Sequence, residues 1–294
     1  MEWGFNKHFW PGLSQDVVEG VVKAAIGGGI SWFDTAEVYG NGCSERDLSS
    51  ALVKEGIGKG DVVIATKWWP LLRTARSIGS TIDTRLECLS PFPIDLYQVH
   101  NPSALASIPA QMNAMADLVE AGKIRAVGVS NFSVKMMRKA HDVLARRGVP
   151  LASNQIRYNL LARHAEANGM LDAARELGIT IICYSPLEFG LLTGKFHRHP
   201  DLLQSRPLAR RKILAKSIES SRPVIEVIES IADAHSATAS QVALSWLVNF
   251  SGDTVVAIPG ASKPSHAEES AGAMKMALTA EEMERIDEIS QRFR

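Results

Sequence analysis

The chain has 294 residues, 46% of them hydrophobic and 22% charged, with Lys+Arg and Asp+Glu equal at 32 each. That mix excludes a largely disordered chain, and the balanced charge excludes a global field that would draw the protein to nucleic acid or an anionic membrane. No apolar stretch approaches the ~20 residues that a membrane span needs, so a small-molecule partner is the expectation.

Strand and helix patterns alternate from end to end, which calls for parallel strands joined by crossover helices. Seven strands are expected: ISWFDTA (30–36), DVVIATK (61–67), DLYQVH (95–100), RAVGVSN (125–131), LASNQ (151–155), TIICYS (180–185) and TVVAIPG (254–260). Each has a short, nearly continuous apolar body, as strands buried on both faces do. Amphipathic segments such as 14–29, 112–123 and 170–178 lie between them, and Gly122 and Gly178 stand where a left-handed helix cap is needed. The stretch 188–221 is rich in Arg, Lys and Pro and reads as a long loop or insertion, either covering a ligand or serving as a solvated connector. Cys43, Cys88 and Cys183 are widely spaced and lack a C-x-x-C pairing, which suits a reducing, cytoplasmic setting.

Every expected strand ends in polar or turn-forming residues: Asp34, Lys67, His100, Ser130 with Asn131, Gln155, Tyr184 with Ser185, and Pro259 with Gly260. In a closed parallel barrel those ends meet at one face, where barrel active sites are built. Singly, Asp34 could cap a turn, Lys67 could be a surface lysine, His100 could bond a backbone carbonyl and Tyr39 could pack in a loop. Together they make a chemical unit. A phenol with a reference pKa of about 10 becomes a usable acid when an ammonium stabilises its phenolate. Lys67 is the candidate ammonium, Asp34 its counter-charge, and His100 a donor to the oxygen of a bound carbonyl.

The segments FDTAEVYG (33–40), ATKW (65–68), DLYQVHNP (95–102), VGVSNFS (127–133), SNQIRYNLL (153–161), YSPL (184–187) with GLLTGK (190–195), and IPGASK (258–263) with AEES (267–270) together resemble the aldo-keto reductase family. The resemblance implies a (β/α)8 barrel over 1–294 as one domain, with Asp34, Tyr39, Lys67 and His100 as the catalytic tetrad. It also implies NADP(H) across the barrel mouth. Ser130, Asn131 and Gln155 would hold the carboxamide, and Tyr184 would stack on the nicotinamide. Ser185, Leu187, Gly190 and Lys195 would line the pyrophosphate. Ile258, Gly260 and Ser262 would approach the adenosine, Lys263 would meet a 2′-phosphate, and His266 and Glu269 would border the adenine. The family usually carries Gln and Asn where His266 and Ser270 stand here.

The implied activity is reduction of aldehyde or ketone carbonyls without a metal. The alternative is a cofactor-binding regulatory subunit similar to potassium-channel β-subunits, and a third reading is a lyase or isomerase that needs no external cofactor. A homo-oligomer is open. Trp68, Trp69 and Phe189 are expected to wall an apolar pocket or to pack in loops, and His197 and His199 read as loop residues, not metal ligands. Trp3 and Gly4 follow almost directly after Met1, so the first barrel strand is expected to be missing or truncated.

Overall fold

The computed structural model describes residues 13–204 and 208–294, so Trp3 and Gly4, on which the expectation of a truncated first strand rests, lie outside the described residues. In chain order the elements are α1 (Gln15–Gly27), β1 (Trp32–Asp34), α2 (Cys43–Lys54), β2 (Val63–Trp68), α3 (Arg76–Leu89), β3 (Leu96–Val99), α4 (Ile108–Glu120), β4 (Ala126–Ser130), α5 (Val134–Ala145), β5 (Leu151–Arg157), α6 (His164–Ala167), α7 (Met170–Leu177), β6 (Thr180–Tyr184), α8 (Lys195–Arg198), α9 (Leu208–Ala234), α10 (Ala239–Phe250), β7 (Val255–Ala257), α11 (Pro264–Ala273) and α12 (Ala280–Ser290). All seven expected strands are present. They pair in parallel in the order β1-β2-β3-β4-β5-β6-β7 and curl into an open barrel, with no pairing of β1 to β7 among the described residues. The helices close where the strands do not. Helix α1 packs on both α2 and α11, and Gly28 approaches so near that a Cβ there would lie 2.4 Å from the Cβ of Ala271.

Strand alternation sorts side chains between two cores. Phe33, Ile64, Trp68, Tyr97, Val99, Val127, Val129 and Ile181 face outward into the layer beneath the helices. Ala65, Leu96 and Ile182 face inward, with Trp32 and Val256 packed on them, and form a small apolar floor. The inward positions nearer the strand ends are Asp34, Lys67, Gln98 and Gln155, all buried. Trp68 therefore packs in the outer layer, where its Nε1–H donates to Ser77 Oγ at 3.0 Å, and it is no pocket wall.

The segment 188–221 departs from the expected loop. It is a 3₁₀ stretch (Glu188–Thr193), α8, a 3₁₀ turn (Pro200–Leu203) and the first half of α9. Leu191, Phe196, Leu203, Leu214 and Ile218 bury one another as a satellite core, so the described residues of the segment are folded and not a solvated connector. Pro223 hid this helix in the sequence, because an interior proline lacks the N–H that a helix needs. Nearby carbonyls are served by side chains instead: Ser221 Oγ–H donates to Ile218 O at 3.0 Å and Arg292 to Ser220 O. His197 Nε2 also lies 3.1 Å from Ile218 O and 2.9 Å from Ser221 Oγ, which pins α8 to α9.

Across the floor of the site, Lys67 pairs in register with Gln98, Gln98 with Gly128, and Gly128 with Ser153. The missing side chain at Gly128 gives room for Gln98 and Ser153, since a Cβ there would stand 2.8 Å from Gln98 Cγ and 2.4 Å from Ser153 Oγ. Gly128→Ala is expected to lose about 1–3 kcal/mol of stability through overpacking. Urea unfolding monitored by tryptophan fluorescence checks this, with a lowered midpoint at unchanged m as the expected result.

Candidate active site

Strand geometry delivers the first two groups. Asp34 ends β1 and Lys67 lies on β2, both pointing inward, and their side chains form an ion pair screened from water. The Lys67 ammonium also donates to Thr35 O at 2.8 Å. The other carboxylate oxygen of Asp34, Oδ1, accepts from Gln155 Nε2 at 2.8 Å and from Gln98 Nε2 at 3.1 Å. A buried carboxylate with both oxygens occupied in this way fixes the lysine it faces.

Tyr39 arrives on the loop between β1 and α2. A turn brings it back toward the barrel axis, with Glu37 N–H donating to Lys67 O at 3.3 Å and Tyr39 N–H to Ala36 O at 3.0 Å. The Lys67 ammonium lies 5.1 Å from the centre of the Tyr39 ring. His100 follows β3 and meets two rings edge-on, Tyr39 at 5.6 Å and Trp69 at 5.1 Å between centroids. Its Nδ1 is buried and has no hydrogen-bond partner among the described residues, so the carbonyl-bonded core histidine that the sequence left open is not what forms. Burial first, and the Lys67 charge second, push the His100 pKa down to about 3, with Asp34 opposing. The imidazole is therefore neutral at neutral pH, a hydrogen-bond donor through one N–H and not a cation.

Glu37 and Glu45 support this loop from behind. The Glu37 carboxylate accepts from the backbone of Trp69 and pairs with Arg73, which ties the Tyr39 loop to the loop after β2. Glu45 accepts from Thr66 Oγ1 at 2.6 Å and lies 2.9 Å from Arg85, and burial pushes its pKa up to about 7. Gln98, Glu37 and Glu45 went unnoticed in the sequence. Gln98 had a signal: it stands two residues before His100 in an apolar strand, and a polar residue at even spacing faces the same side.

The ends of β4, β5 and β6 carry a second cluster. Ser130 Oγ–H donates to Gln155 O at 2.9 Å, Asn131 Nδ2 donates to Ser130 Oγ at 3.0 Å, and the Tyr184 hydroxyl donates to Asn131 Oδ1 at 3.0 Å. Gln155, expected to help hold a carboxamide, turns its own amide to Asp34 and so joins the two clusters. Asn131, Ser185, Glu188 and Phe189 all have positive φ, 61°, 50°, 46° and 54°, a concentration of backbone strain that persists only where surroundings enforce it. Here Arg157 pairs with Glu188, and Asn159 Nδ2 donates to Ser185 O at 2.9 Å and to Glu188 Oε2 at 2.7 Å. Leu187 packs on the core, and Phe189 packs on the satellite cluster of Leu191 and Phe196.

Beyond that loop the charges turn positive. The Lys195 side chain folds over Gly190, where a Cβ would stand 3.0 Å from its ammonium. After β7, Ile258 is half-buried while Gly260, Ser262 and Lys263 are exposed; Lys263 is the residue before α11. Ser262 N–H donates to His266 Nδ1 at 3.4 Å. Burial lowers the His266 pKa, Lys195 and Lys263 lower it further, and Glu269 opposes. Two ammonium groups from distant segments thus act on one histidine at a helix N-terminus. This donor set suits anionic groups, while the amides and phenol at the other end suit a flat polar ring, so the residues fit a long phosphorylated nucleotide.

Comparison with known proteins finds relatives that cover nearly the whole chain. A model described as the aldo/keto reductase family matches residues 3–291. An uncharacterized oxidoreductase of Mycobacterium tuberculosis is 35% identical over 100% of this chain and 86% of its own length. The aldo-keto reductase yakc [NADP(+)] of Schizosaccharomyces pombe is 30% identical over 94% of this chain and 83% of its own. The solved structure of a glycerol dehydrogenase from Gluconobacter oxydans superposes with a TM-score of 0.81 at 28% identity, covering 97% of this chain and 88% of that one.

A histidine held neutral by burial makes a checkable claim. In 15N NMR, His100 is expected to keep neutral-ring shifts midway between the usual 6.5 and about 3. Because its folded pKa is depressed, its share of stability is present above 6.5 and is lost as pH falls toward 3. Protonation of His100 near 6.5 would show that the site is wetter than its packing implies.

Proposed function

The chain belongs to the aldo/keto reductase family, and on that premise we propose that it is an NADPH-dependent reductase of aldehyde or ketone carbonyls. The observation that carries this reading is the buried Lys67 ammonium, paired with Asp34 and 5.1 Å from the centre of the Tyr39 ring. An ammonium fixed there favours phenolate over phenol, which makes Tyr39 the proton donor for an oxygen that gains charge. Asp34 holds the lysine and touches no substrate. Neutral His100, edge-on to the Tyr39 ring, fits a donor that orients the carbonyl oxygen toward the Tyr39 hydroxyl. Trp69, edge-on to His100, covers the site and limits water access.

In this reading a reduced nicotinamide, when bound at the mouth, would supply a hydride for the carbonyl carbon. Ser130, Asn131 and Gln155 would hold its carboxamide and Tyr184 would stack on its ring. Ser185, Leu187, Gly190 and Lys195 would line the pyrophosphate. Ile258, Gly260 and Ser262 would flank the adenosine, with Lys263 at a 2′-phosphate and His266 and Glu269 beside the adenine. The name of the fission-yeast relative, which specifies NADP(+), supports the choice of cofactor, as do the positive charges of Lys195 and Lys263 that act on His266.

Two measurements test this. NADPH oxidation with a panel of aldehydes and ketones is expected to fall on the order of 10²–10⁴-fold in Tyr39→Phe with little change in KM; equal turnover would remove Tyr39 from the chemistry. Fluorescence titration is expected to show Lys263→Met weakening NADPH by about tenfold or more while leaving NADH nearly unchanged, since only NADPH offers the 2′-phosphate charge. Equal weakening of both would assign Lys263 elsewhere.

A further inference from the structure

We propose that Cys43 and Cys88 form an oxidation-sensitive thiol pair that sets the position of the Tyr39 loop. Both sulfurs sit on one guanidinium. Arg46 NH1 donates to Cys88 Sγ at 3.0 Å, and NH2 of the same group lies 3.6 Å from Cys43 Sγ. Cys43 is the first residue of α2 and half-buried, whereas Cys88 is 6% exposed near the end of α3. Gly42 lets the two segments meet, because a Cβ at that residue would stand 3.2 Å from Cys88 Sγ. Adjacent α-carbons are about 3.8 Å apart, so the Cys88 sulfur lies within one residue of the Cys43 backbone. A disulfide needs ~4.4–6.8 Å between its α-carbons, so a shift of the loop accompanies bond formation.

The chemistry follows from the setting. Thiolates are the species that peroxides oxidise, and reactive cysteines are those accessible to solvent beside a cationic group. The Cys43 sulfur attacks one oxygen of hydrogen peroxide, the O–O bond breaks, and water leaves to give a sulfenic acid. The Cys88 sulfur then attacks the Cys43 sulfur, the S–O bond breaks, and a second water carries off that oxygen. The two thiols lose two electrons and the peroxide gains them. Cys183 takes no part, being fully buried, with burial pushing its thiol well up.

The link to function is the chain itself. Gly40, Asn41 and Gly42 have φ of 63°, 52° and 84°, and they carry Tyr39 directly into the thiol pair. Gly42 N–H donates to Glu37 O at 3.0 Å, Cys43 N–H to Gly40 O at 3.1 Å and Ser44 N–H to Tyr39 O at 3.3 Å. A bond from Cys43 to Cys88 displaces Arg46 and draws this turn toward α3, which changes the position of Tyr39 relative to Lys67.

The test uses the full chain treated with hydrogen peroxide, its remaining thiols alkylated, and a non-reducing tryptic digest read by mass spectrometry. Cleavage after Arg46 and Arg85 places the two cysteines on separate peptides, so a linked species reports the bond directly. It is expected in the parent, absent in Cys43→Ser and Cys88→Ser, and reversed by dithiothreitol, with Cys183 alkylated after denaturation. Alongside it NADPH turnover is expected to fall on the order of 10- to 100-fold and to recover on reduction, while Cys43→Ser keeps its turnover in peroxide. No linked peptide in the parent overturns the pair, and a linked peptide with unchanged turnover overturns its coupling to Tyr39. The turnover arm rests on the reductase reading. If the untreated parent turns over no carbonyl, that reading fails by itself and the linked peptide still decides the thiol pair.

Discussion

The ion pair between Lys67 and Asp34 is the constraint from which the rest of the site follows. Both groups are buried, and removing one partner of such a pair costs about 3–5 kcal/mol because the other is left charged in a dry interior. Burial on this scale needs a complete set of partners. Gln98, Gln155 and the Thr35 carbonyl supply them from β3, β5 and the turn after β1. The barrel floor is therefore as much a device for holding one ammonium as a core, and Gly128 is bare of a side chain so that Gln98 can occupy its place within it.

From that fixed charge outward, the site divides by chemistry. On the side of β1–β3, Tyr39, His100 and Trp69 make an aromatic, largely dry chamber in which His100 stays neutral. On the side of β4–β7, amides and a phenol give way to Lys195, the first residue of α8, and Lys263, just before α11. Gln155 belongs to both, its amide on Asp34 and its carbonyl on Ser130. A group bound near Ser130 and Asn131 would thus be felt at Asp34 through a single residue, which gives the two halves a physical connection.

The loops obey a different economy from the floor. Positive φ at Asn131, Ser185, Glu188 and Phe189 disfavours those conformations in a free chain, and the Arg157–Glu188–Asn159 cluster holds the last three in place. The folded segment after them, seated on Leu191, Phe196, Leu214 and Ile218, backs the same loop from outside. The Tyr39 loop is held instead by Glu37 and by the turn through Gly42, next to a pair of thiols on Arg46. Rigid support on one side of the mouth and a chemically addressable hinge on the other distinguish how the two halves are kept in place.

By itself, the sequence determined the alternation of strands and helices, the seven strand positions and the polar residues that end each strand, because these follow from local periodicity and residue type. Asp34, Lys67 and His100 were legible for that reason, and Tyr39 through the family resemblance carried by FDTAEVYG. The sequence did not disclose α9, where Pro223 interrupts the local helix signal while side chains from α8 and the C-terminal end serve the carbonyls around it. Nor did it separate Trp68 from Trp69: neighbours on a strand point to opposite faces, and only the register with β3 decided that Trp68 packs under α3 while Trp69 meets His100. The same holds for Gln155 turning to Asp34 and for two cysteines, 45 positions apart in the sequence numbering, meeting on one guanidinium. Such contacts join residues distant along the chain, and only the closed packing of helices around the sheet brings them within reach.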